Sequence, residues 1–174
     1  MKFAAVVAVS VNCVVAQGGP SDFPPKAPPF KFDETLPELP TPAVVNMDAS
    51  WLRSLPQYSE WVDIKNIPRF HCDGAVIRRI NIAKAGTYSG LLQFNLRFDV
   101  GLRKGDDKDI TIDYNFLDGD RVVGSGRIDR QNLDEDQNTT FQVSIALAKT
   151  DFEKLLAAGA KPIFRLTMSI AEQE

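Results

Sequence analysis

A strict alternation of apolar and polar residues dominates the second half of the chain. Over residues 92–102 every second residue is apolar, and most of the residues between them are polar. A period of two is that of a β-strand with one buried face. Weaker runs stand at residues 75–83 and 121–128. Three further stretches repeat the strong pattern through Ile110, Ile112, Tyr114 and Phe116, through Phe141, Val143, Ile145 and Leu147, and through Phe164, Leu166, Met168 and Ile170.

This alternation determines the fold class that we expect. Strands with one polar face are typical of antiparallel sheets, and the turn sequence LDGD at residues 117–120 predicts a hairpin. One helix interrupts the strands, with Thr150 and Glu153 as a capping box and Gly159 after its end. The sequence therefore predicts an all-β fold, an antiparallel immunoglobulin-like β-sandwich over residues 62–174, with one short helical crossover and an N-terminal extended arm.

The stretch ITIDYNFLDGDRVVGSGRI, residues 110–128, resembles a known family. It is similar to the strand–turn–strand signature of secreted immunoglobulin-like modules of the FxLYD type, with Phe116, Leu117, Asp118 and Gly119 at the turn. The resemblance implies an immunoglobulin-like or fibronectin-III-like sandwich. It implies no particular activity, because a fold does not fix a function.

The first residues have the plan of a secretory signal peptide. Lys2 is followed by an apolar run that ends at Ala16, and small residues stand at Val14 and Ala16 before Gln17. The run is shorter than the ~20 residues that a membrane-spanning helix needs. We predict that residues 1–16 are removed and that the protein is exported, to the periplasm or the extracellular space. The alternative is a retained segment that leaves the protein membrane-associated.

Residues 17–45 form a proline-rich arm that contains eight of the 11 prolines. Proline favours the extended polyproline II conformation, which loses little entropy when it docks on a surface. Large apolar residues recur along this arm, whereas a solvated spacer carries few of them. We expect the arm to bind a partner protein, and the alternative is that it folds back over its own domain. The expected partner-binding residues are Phe23, Phe30, Phe32, Leu36 and Leu39.

Residues 46–61 are predicted to be an aromatic connector with a short helix. The connector brings Trp51, Tyr58 and Trp61 into one segment. Flat aromatic rings that keep one polar group can stack on sugars, so a carbohydrate-binding module is the second functional hypothesis. The alternative role for these rings is a hydrophobic plug over one end of the sandwich.

The sequence lacks the motifs of the common enzyme classes. His71 is the only histidine, and its neighbour Cys72 would point to the opposite face of a strand, so the two do not form a catalytic pair. Neither nucleotide-binding glycine motifs nor zinc-ligand spacings occur in the sequence. We expect a non-catalytic protein without a cofactor. An enzyme that uses loop carboxylates is the third hypothesis, and no substrate is indicated.

Acidic residues cluster in the predicted turns and are the weak candidates for a calcium site. Calcium binds six to eight hard oxygens, which carboxylates supply. The spacing matches no calcium-loop motif, and Asp is also a common turn residue in contact with solvent. We therefore expect solvated turn carboxylates and no metal, with calcium as the alternative. The candidates are Asp106, Asp107, Asp109, Asp118 and Asp120.

Cys72 and Asn138 are the two remaining candidate sites, the first for an intermolecular disulfide and the second for a glycan. Once the signal peptide is removed Cys72 is the lone cysteine, so it is either buried and inert or bridged to another chain. Asn138 begins an Asn-Thr-Thr sequon in a predicted turn, which would carry a glycan in a eukaryotic source.

The net charge and its distribution limit the classes of molecule that the protein can bind. The net charge is −3 and the Lys and Arg residues are scattered, which excludes the basic surface that nucleic-acid binding needs. The sequence therefore predicts an exported, non-catalytic interaction module. Its expected place is that of an accessory or structural subunit in a larger extracytoplasmic or membrane-associated assembly.

Overall fold

The architecture is that of a β-sandwich. A computed structural model describes residues 30–56, 60–103, 107–135 and 138–173. The elements, in chain order, are β1 (Ala43–Asp48), a 3-10 helix (Ser50–Ser54), β2 (Val62–Asp63), β3 (Ala75–Tyr88), β4 (Leu91–Leu102), β5 (Lys108–Asp118), β6 (Arg121–Leu133), β7 (Asn138–Ala148), α1 (Lys149–Leu156) and β8 (Pro162–Glu172).

The strands form two antiparallel sheets of four strands each. The first sheet has the order β1-β8-β5-β6 and the second has the order β2-β3-β4-β7. Helix α1 takes the chain from β7 in the second sheet to β8 in the first, as the predicted helical crossover requires. The structure thus confirms the all-β sandwich that the alternation predicts.

The core lies between the two sheets and is rich in aromatic rings. The ring of Phe98 in β4 lies 5.7 Å from that of Tyr114 in β5, and the rings of Phe116 and Phe164 are 4.8 Å apart. All four side chains are buried. Burying one large apolar side chain stabilises a fold by about 1.5–3 kcal/mol, so the inward-facing alternating residues hold the sandwich together.

Two glycines in β6 explain the VGSG sequence within the stretch that resembles FxLYD modules. A Cβ atom on Gly124 would collide with Leu147, and one on Gly126 would collide with Tyr114. The missing side chains therefore let neighbouring core residues lie directly across the β6 backbone. Ser125 between them is exposed and points away from the core.

The sandwich begins earlier than the sequence predicts. We expected it to start at residue 62, but β1 pairs with β8 at the edge of the first sheet. Ala43 and Met47 are buried and Val45 packs against the core, which is a short alternation. The sequence does not predict β1 as a strand, because the prolines before it favour an irregular extended chain.

The helix begins two residues earlier than its predicted capping box implies, because the box makes Thr150 the N-cap and the structure has Ala148 there. Ala148 is the residue before the first turn, and no side chain caps the helix there. Thr150 therefore lies inside the first turn rather than ahead of it, because β7 runs directly into α1. Phe152 and Leu155 are the buried residues of the helix.

Several predicted features lie outside the described residues. These are the signal peptide and the first part of the arm at residues 1–29, together with Tyr58 and Asp106. Within the described ranges, the structure contains no helix that is both long enough and apolar enough to cross a membrane.

Candidate functional site

Phe30, the first described residue of the arm, sits on the outward face of the second sheet. Its ring occupies the space above Gly101 in β4, where a Cβ atom would collide with it. The guanidinium of Arg78 lies over the same ring, 5.4 Å from its centroid. A cation held over an aromatic face contributes about 0.5–1 kcal/mol at an exposed site. Gly101 and Arg78 together therefore form a seat for Phe30.

Phe32 has a second seat just beyond the end of β4. Its ring meets the ring of His71 edge-on at 5.4 Å, and the guanidinium of Arg103 lies 5.5 Å from its centroid. The rings of Phe30 and Phe32 are therefore each in contact with the guanidinium of an arginine from the domain.

Backbone hydrogen bonds fix the arm beyond these rings. Leu39 N–H donates to the His71 carbonyl at 2.9 Å, and His71 N–H donates to the Pro37 carbonyl at 3.0 Å. Leu39 packs against the core, whereas Leu36 is half-buried in a turn that its N–H closes on Asp33. Of the residues that we expected to bind a partner, Phe30, Phe32 and Leu39 thus contact the chain's own domain. This is the arrangement of the alternative, in which the arm folds back.

A β-bulge in β3 positions Arg78 beside the ring of Phe30. Ile77 pairs with Val100 and Arg79 pairs with Asp99, so Arg78 is an extra residue in the ladder. Strict alternation would place two adjacent side chains on opposite faces of the sheet. A bulge changes the direction of the backbone, so both can point to the same face. Arg78 reaches Phe30 and Arg79 reaches Asp99, and both contacts are on the outward face of the sheet.

The outward face of the second sheet also carries a buried ionic cluster centred on Asp99. Oδ2 of Asp99 accepts a hydrogen bond from Arg79 Nε at 2.6 Å. Its Oδ1 accepts from Arg97 Nε at 3.2 Å and from Thr140 Oγ1 at 2.8 Å. Asp99 is completely buried and Arg97 nearly so.

The electrostatics of Asp99 follow from these partners. Burial raises the pKa of its carboxyl, but the hydrogen bonds from Thr140 and Arg79 and the charges of Arg97 and Arg79 outweigh burial. The pKa of Asp99 is therefore held below its usual range and the group stays ionised. Alternation alone does not reveal this cluster, because it shows that Asp99 points outward but not that other groups bury it.

The apolar tip of the β3–β4 hairpin lies at the far end of the same face. Ser89 and Gly90 form its two-residue turn, both with positive φ (48° and 78°), as a type I′ turn requires. Tyr88 and Leu91 pair across the turn and are 72% and 40% exposed. Leu91 also pairs with Ala148 of β7. The hairpin therefore presents an aromatic and an aliphatic side chain together to solvent.

Trp51 serves mainly as a plug at the edge of the core. Its ring meets those of Phe116 and Phe164 edge-on, at 6.2 and 6.1 Å. One side of Trp51 nevertheless borders a cleft of about 330 Å³, and Trp61 is not part of its lining. Of the two predicted aromatic residues that the structure describes, only Trp51 therefore lines this cleft. The lining residues are Met47, Asp48, Ser50, Trp51, Ser54, Lys65 and Asn66.

The four calcium candidates within the described residues do not come together at one site. Asp109 stands near the start of β5 and Asp118 at its end, which separates them by about 30 Å at ~3.4 Å per residue. Asp120 belongs to the turn after Asp118, and Asp107 is exposed beside Asp109. Asp109 is instead buried and ion-paired with Arg130. Nowhere in the described part of the chain do three or more carboxylate, histidine or cysteine side chains meet as a metal site would need.

His71 and Cys72 face different surroundings, as their adjacency predicts. Cys72 is completely buried, and desolvation raises the pKa of its thiol, which disfavours the reactive thiolate. An intermolecular disulfide through Cys72 would therefore require local opening of the core. His71 packs on the arm, and its Nδ1 has no hydrogen-bond partner among the described residues.

The sequon is built into the sheet rather than into a turn. Asn138 is the first residue of β7, and its Oδ1 accepts a hydrogen bond from Arg78 Nη1 at 2.5 Å. Thr140 of the same sequon donates to the buried Asp99. Asn138 and Thr140 thus help to hold the outward face of the second sheet, and glycosylation of Asn138 stays a prediction.

Comparisons with known proteins add little to this geometry. No protein-family model and no curated protein matches the chain. A solved structure that it resembles is a β-glucuronidase from glycoside hydrolase family 2, with a TM-score of 0.34 and 11% sequence identity. That likeness covers 45% of this chain and 8% of the β-glucuronidase chain. It is too distant to support an argument about activity.

Proposed function

We propose that the protein is an exported, non-catalytic interaction module, an accessory subunit of a larger extracytoplasmic assembly. In this proposal the β3–β4 hairpin tip, formed by Tyr88 and Leu91, binds the partner protein. The exposure of these two large side chains next to each other is the observation that carries the proposal.

The tip has the properties of a protein-binding hot spot. Tyrosine is enriched at such positions, and it gives a large contact area for few rotatable bonds. The tight two-residue turn and the long strands behind it hold both side chains in place before a partner arrives, which lowers the entropy cost of binding. The tip suits a partner better than the described part of the arm, because Phe30, Phe32 and Leu39 already pack on the domain.

The environments of the chemically active groups support a role without catalysis. The Cys72 thiol is buried with a raised pKa, and the Asp99 carboxylate is neutralised by two arginines. The imidazole of His71 is packed against Phe32. Each group is therefore engaged in structure rather than directed into a cleft.

Site-specific cross-linking tests the proposal. The photoreactive residue p-benzoylphenylalanine replaces Tyr88 in the native source, and in a matched control it replaces Val44, which is 55% exposed on the other sheet. We expect one discrete cross-linked partner from position 88 and none from position 44. The cross-link should disappear when Leu91→Ser is added, with an unchanged circular dichroism spectrum. Equal cross-linking from both positions, or none from position 88, would contradict the proposal.

Carbohydrate binding at the Trp51 cleft is the second candidate. The observation in its favour is the polar lining of the cleft, which Asp48, Ser50, Ser54 and Lys65 share with Trp51. Its volume of about 330 Å³ is at the lower end for small-molecule sites, which run from about 300 to 1,000 Å³. A glycan array probes this candidate, and any bound glycan should be lost in Lys65→Ala, whose side chain is exposed and contributes little to the fold. An array without a signal would remove it.

A further inference from the structure

The outward face of the second sheet is uncharged where it approaches the hairpin tip. Six outward-pointing residues of β3, β4 and β7 lie there in three rows across the strands, and none of them is charged. The first charged residue further along this face of β4 is Arg97. We call the six residues the neutral patch, and they are Tyr88, Leu91, Gln93, Asn95, Ser144 and Ala146.

The outward face of the first sheet differs from the neutral patch. Asp48, Arg165 and Arg127 stand there in three successive rows across the strands. Exposed surfaces of soluble domains normally mix charges of both signs, whereas the central part of a protein interface is depleted of charged residues and enriched in aromatic ones. The neutral patch with Tyr88 therefore has the composition of an interface rather than that of an ordinary solvated sheet face.

The amide groups of the neutral patch are available to a partner. Oδ1 of Asn95 accepts a hydrogen bond from Ser144 Oγ at 2.8 Å, which holds the amide in place and leaves its nitrogen without a partner among the described residues. Gln93 lies exposed between Gly86 and Ala146, neither of which has a side chain longer than a methyl group. An amide offers two donors and one acceptor, so the patch can bind neutral polar groups.

We propose that the partner protein of the hairpin tip also covers the neutral patch, and that the surface it brings there is itself uncharged. This inference rests on the proposed function, because it extends the same site. A charged group placed over the patch would lose its hydration and meet no counter-charge. Neutral polar groups of the partner would instead exchange hydrogen bonds with Gln93 and Asn95, while its apolar groups pack on Tyr88 and Leu91.

The dimensions of the patch fit the centre of an interface. Three strands at a spacing of ~4.8 Å make it about 10 Å wide, and three rows of outward residues at ~3.4 Å per residue make it about 14 Å long. A standard interface covers about 800 Å² on each partner, with few charges at its centre and a polar rim. The exposed Lys149, whose N–H donates to the Gly90 carbonyl at 3.0 Å, lies at this rim. Charge is therefore expected only at the edge of the contact.

A charge placed in the neutral patch tests the proposal. The full chain carries p-benzoylphenylalanine at position 88 in its native source, combined with Ala146→Lys or, as the matched control, with Ser125→Lys on the outward face of the first sheet. We expect Ala146→Lys to lower the yield of the cross-linked partner about tenfold and Ser125→Lys to change it by less than about twofold. Circular dichroism spectra establish that both variants fold. A yield that Ala146→Lys does not lower would overturn the proposal.

Ionic strength supplies a measurement without a substitution in the rest of the patch. Raising NaCl from about 50 to about 500 mM should change the yield from position 88 by less than about twofold, since salt screens charges and leaves apolar contacts in place. A loss of about tenfold or more would show that charge pairing holds the partner, which contradicts an uncharged contact.

Cross-linking from Gln93 separates this inference from the proposed function. With p-benzoylphenylalanine at position 93 we expect capture of a partner of the same mass as from position 88, and no capture from position 125. Capture from position 88 but not from position 93 would overturn the extension onto the patch and leave the proposed function standing. No capture from position 88 would remove both. A product of twice the mass of the chain would identify a second copy as the occupant and would also contradict the proposal.

Discussion

The outward faces of the two sheets read alike in sequence and differ in environment. Each carries an arginine and an aspartate on paired positions of neighbouring strands. In the first sheet Arg127 Nε donates to Asp113 at 2.6 Å, and the side chains are 58% and 31% exposed. In the second sheet Arg79 Nε donates to Asp99 at the same distance, with side chains 26% and 0% exposed. One hydrogen-bond geometry therefore serves two different roles.

The difference shows what alternation can and cannot tell. A period of two states which way a side chain points, but solvent reaches an outward face only if nothing covers it. An exposed ion pair contributes about 0–1 kcal/mol, because water screens it. Removing one partner of a buried pair costs about 3–5 kcal/mol, because a charge is left without a counter-charge.

The largest expected effect is that of Asp99→Asn. The substitution keeps the shape but leaves Arg79 and Arg97 close together without their carboxylate. We expect the free energy of unfolding to fall by about 3–5 kcal/mol, measured by urea denaturation at neutral pH. A loss below 1 kcal/mol would mean that water reaches the cluster and that the two faces are equivalent.

The acid dependence of stability separates the two faces further. Because the pKa of Asp99 is lowered in the folded protein, its contribution is fully present above the carboxyl's unfolded pKa and is lost as pH falls through the lower folded value. We therefore expect the wild-type protein to lose more stability than Asp99→Asn between neutral pH and pH 3. Urea midpoints across this range give the comparison, and parallel curves for the two proteins would contradict it.

Gly101→Ala tests the cover over the second sheet. The new methyl group occupies the seat of Phe30, and overpacking of this kind costs about 1–3 kcal/mol. A double-mutant cycle supplies the control, because the cost should shrink once Phe30→Ala has emptied the seat. If both singles simply add, the ring does not rest on Gly101.

The smallest effect is expected for Asp113→Asn on the first sheet. Its partner Arg127 is exposed and remains hydrated after the change. The free energy of unfolding should change by no more than about 0.5 kcal/mol, in the same urea assay as for Asp99. A loss that approaches the one at Asp99 would remove the distinction between the faces.

The sandwich could be predicted because each strand is visible in its own sequence as an alternation of apolar and polar residues. The alternation in β4, β5, β7 and β8 depends on neighbours in sequence, and the hairpin at Gly119 depends on a four-residue turn. What could not be predicted depends on segments that meet only in space. The burial of Asp99, the seating of Phe30 on Gly101 and the separation of Asp109 from Asp118 each require the register of distant strands.

The candidate site was predicted only in part for the same reason. The prolines and the spaced apolar residues predict the arm, and they leave open whether it binds a partner or folds back over its own domain. Its seats were not predicted, because Arg78 reaches Phe30 through a bulge that alternation cannot show. The hairpin tip was overlooked because Tyr88 and Leu91 look like ordinary strand residues until their exposure is known.

Strand β6 also bears on how the protein behaves at high concentration. It is long and lies at the edge of the first sheet, where unpaired backbone groups could recruit strands of other molecules. Its exposed residues include Arg127, Asp129 and Arg130, and charged side chains on an edge strand disfavour pairing with strands of other molecules. We therefore expect this edge to disfavour strand pairing between copies of the protein at high concentration.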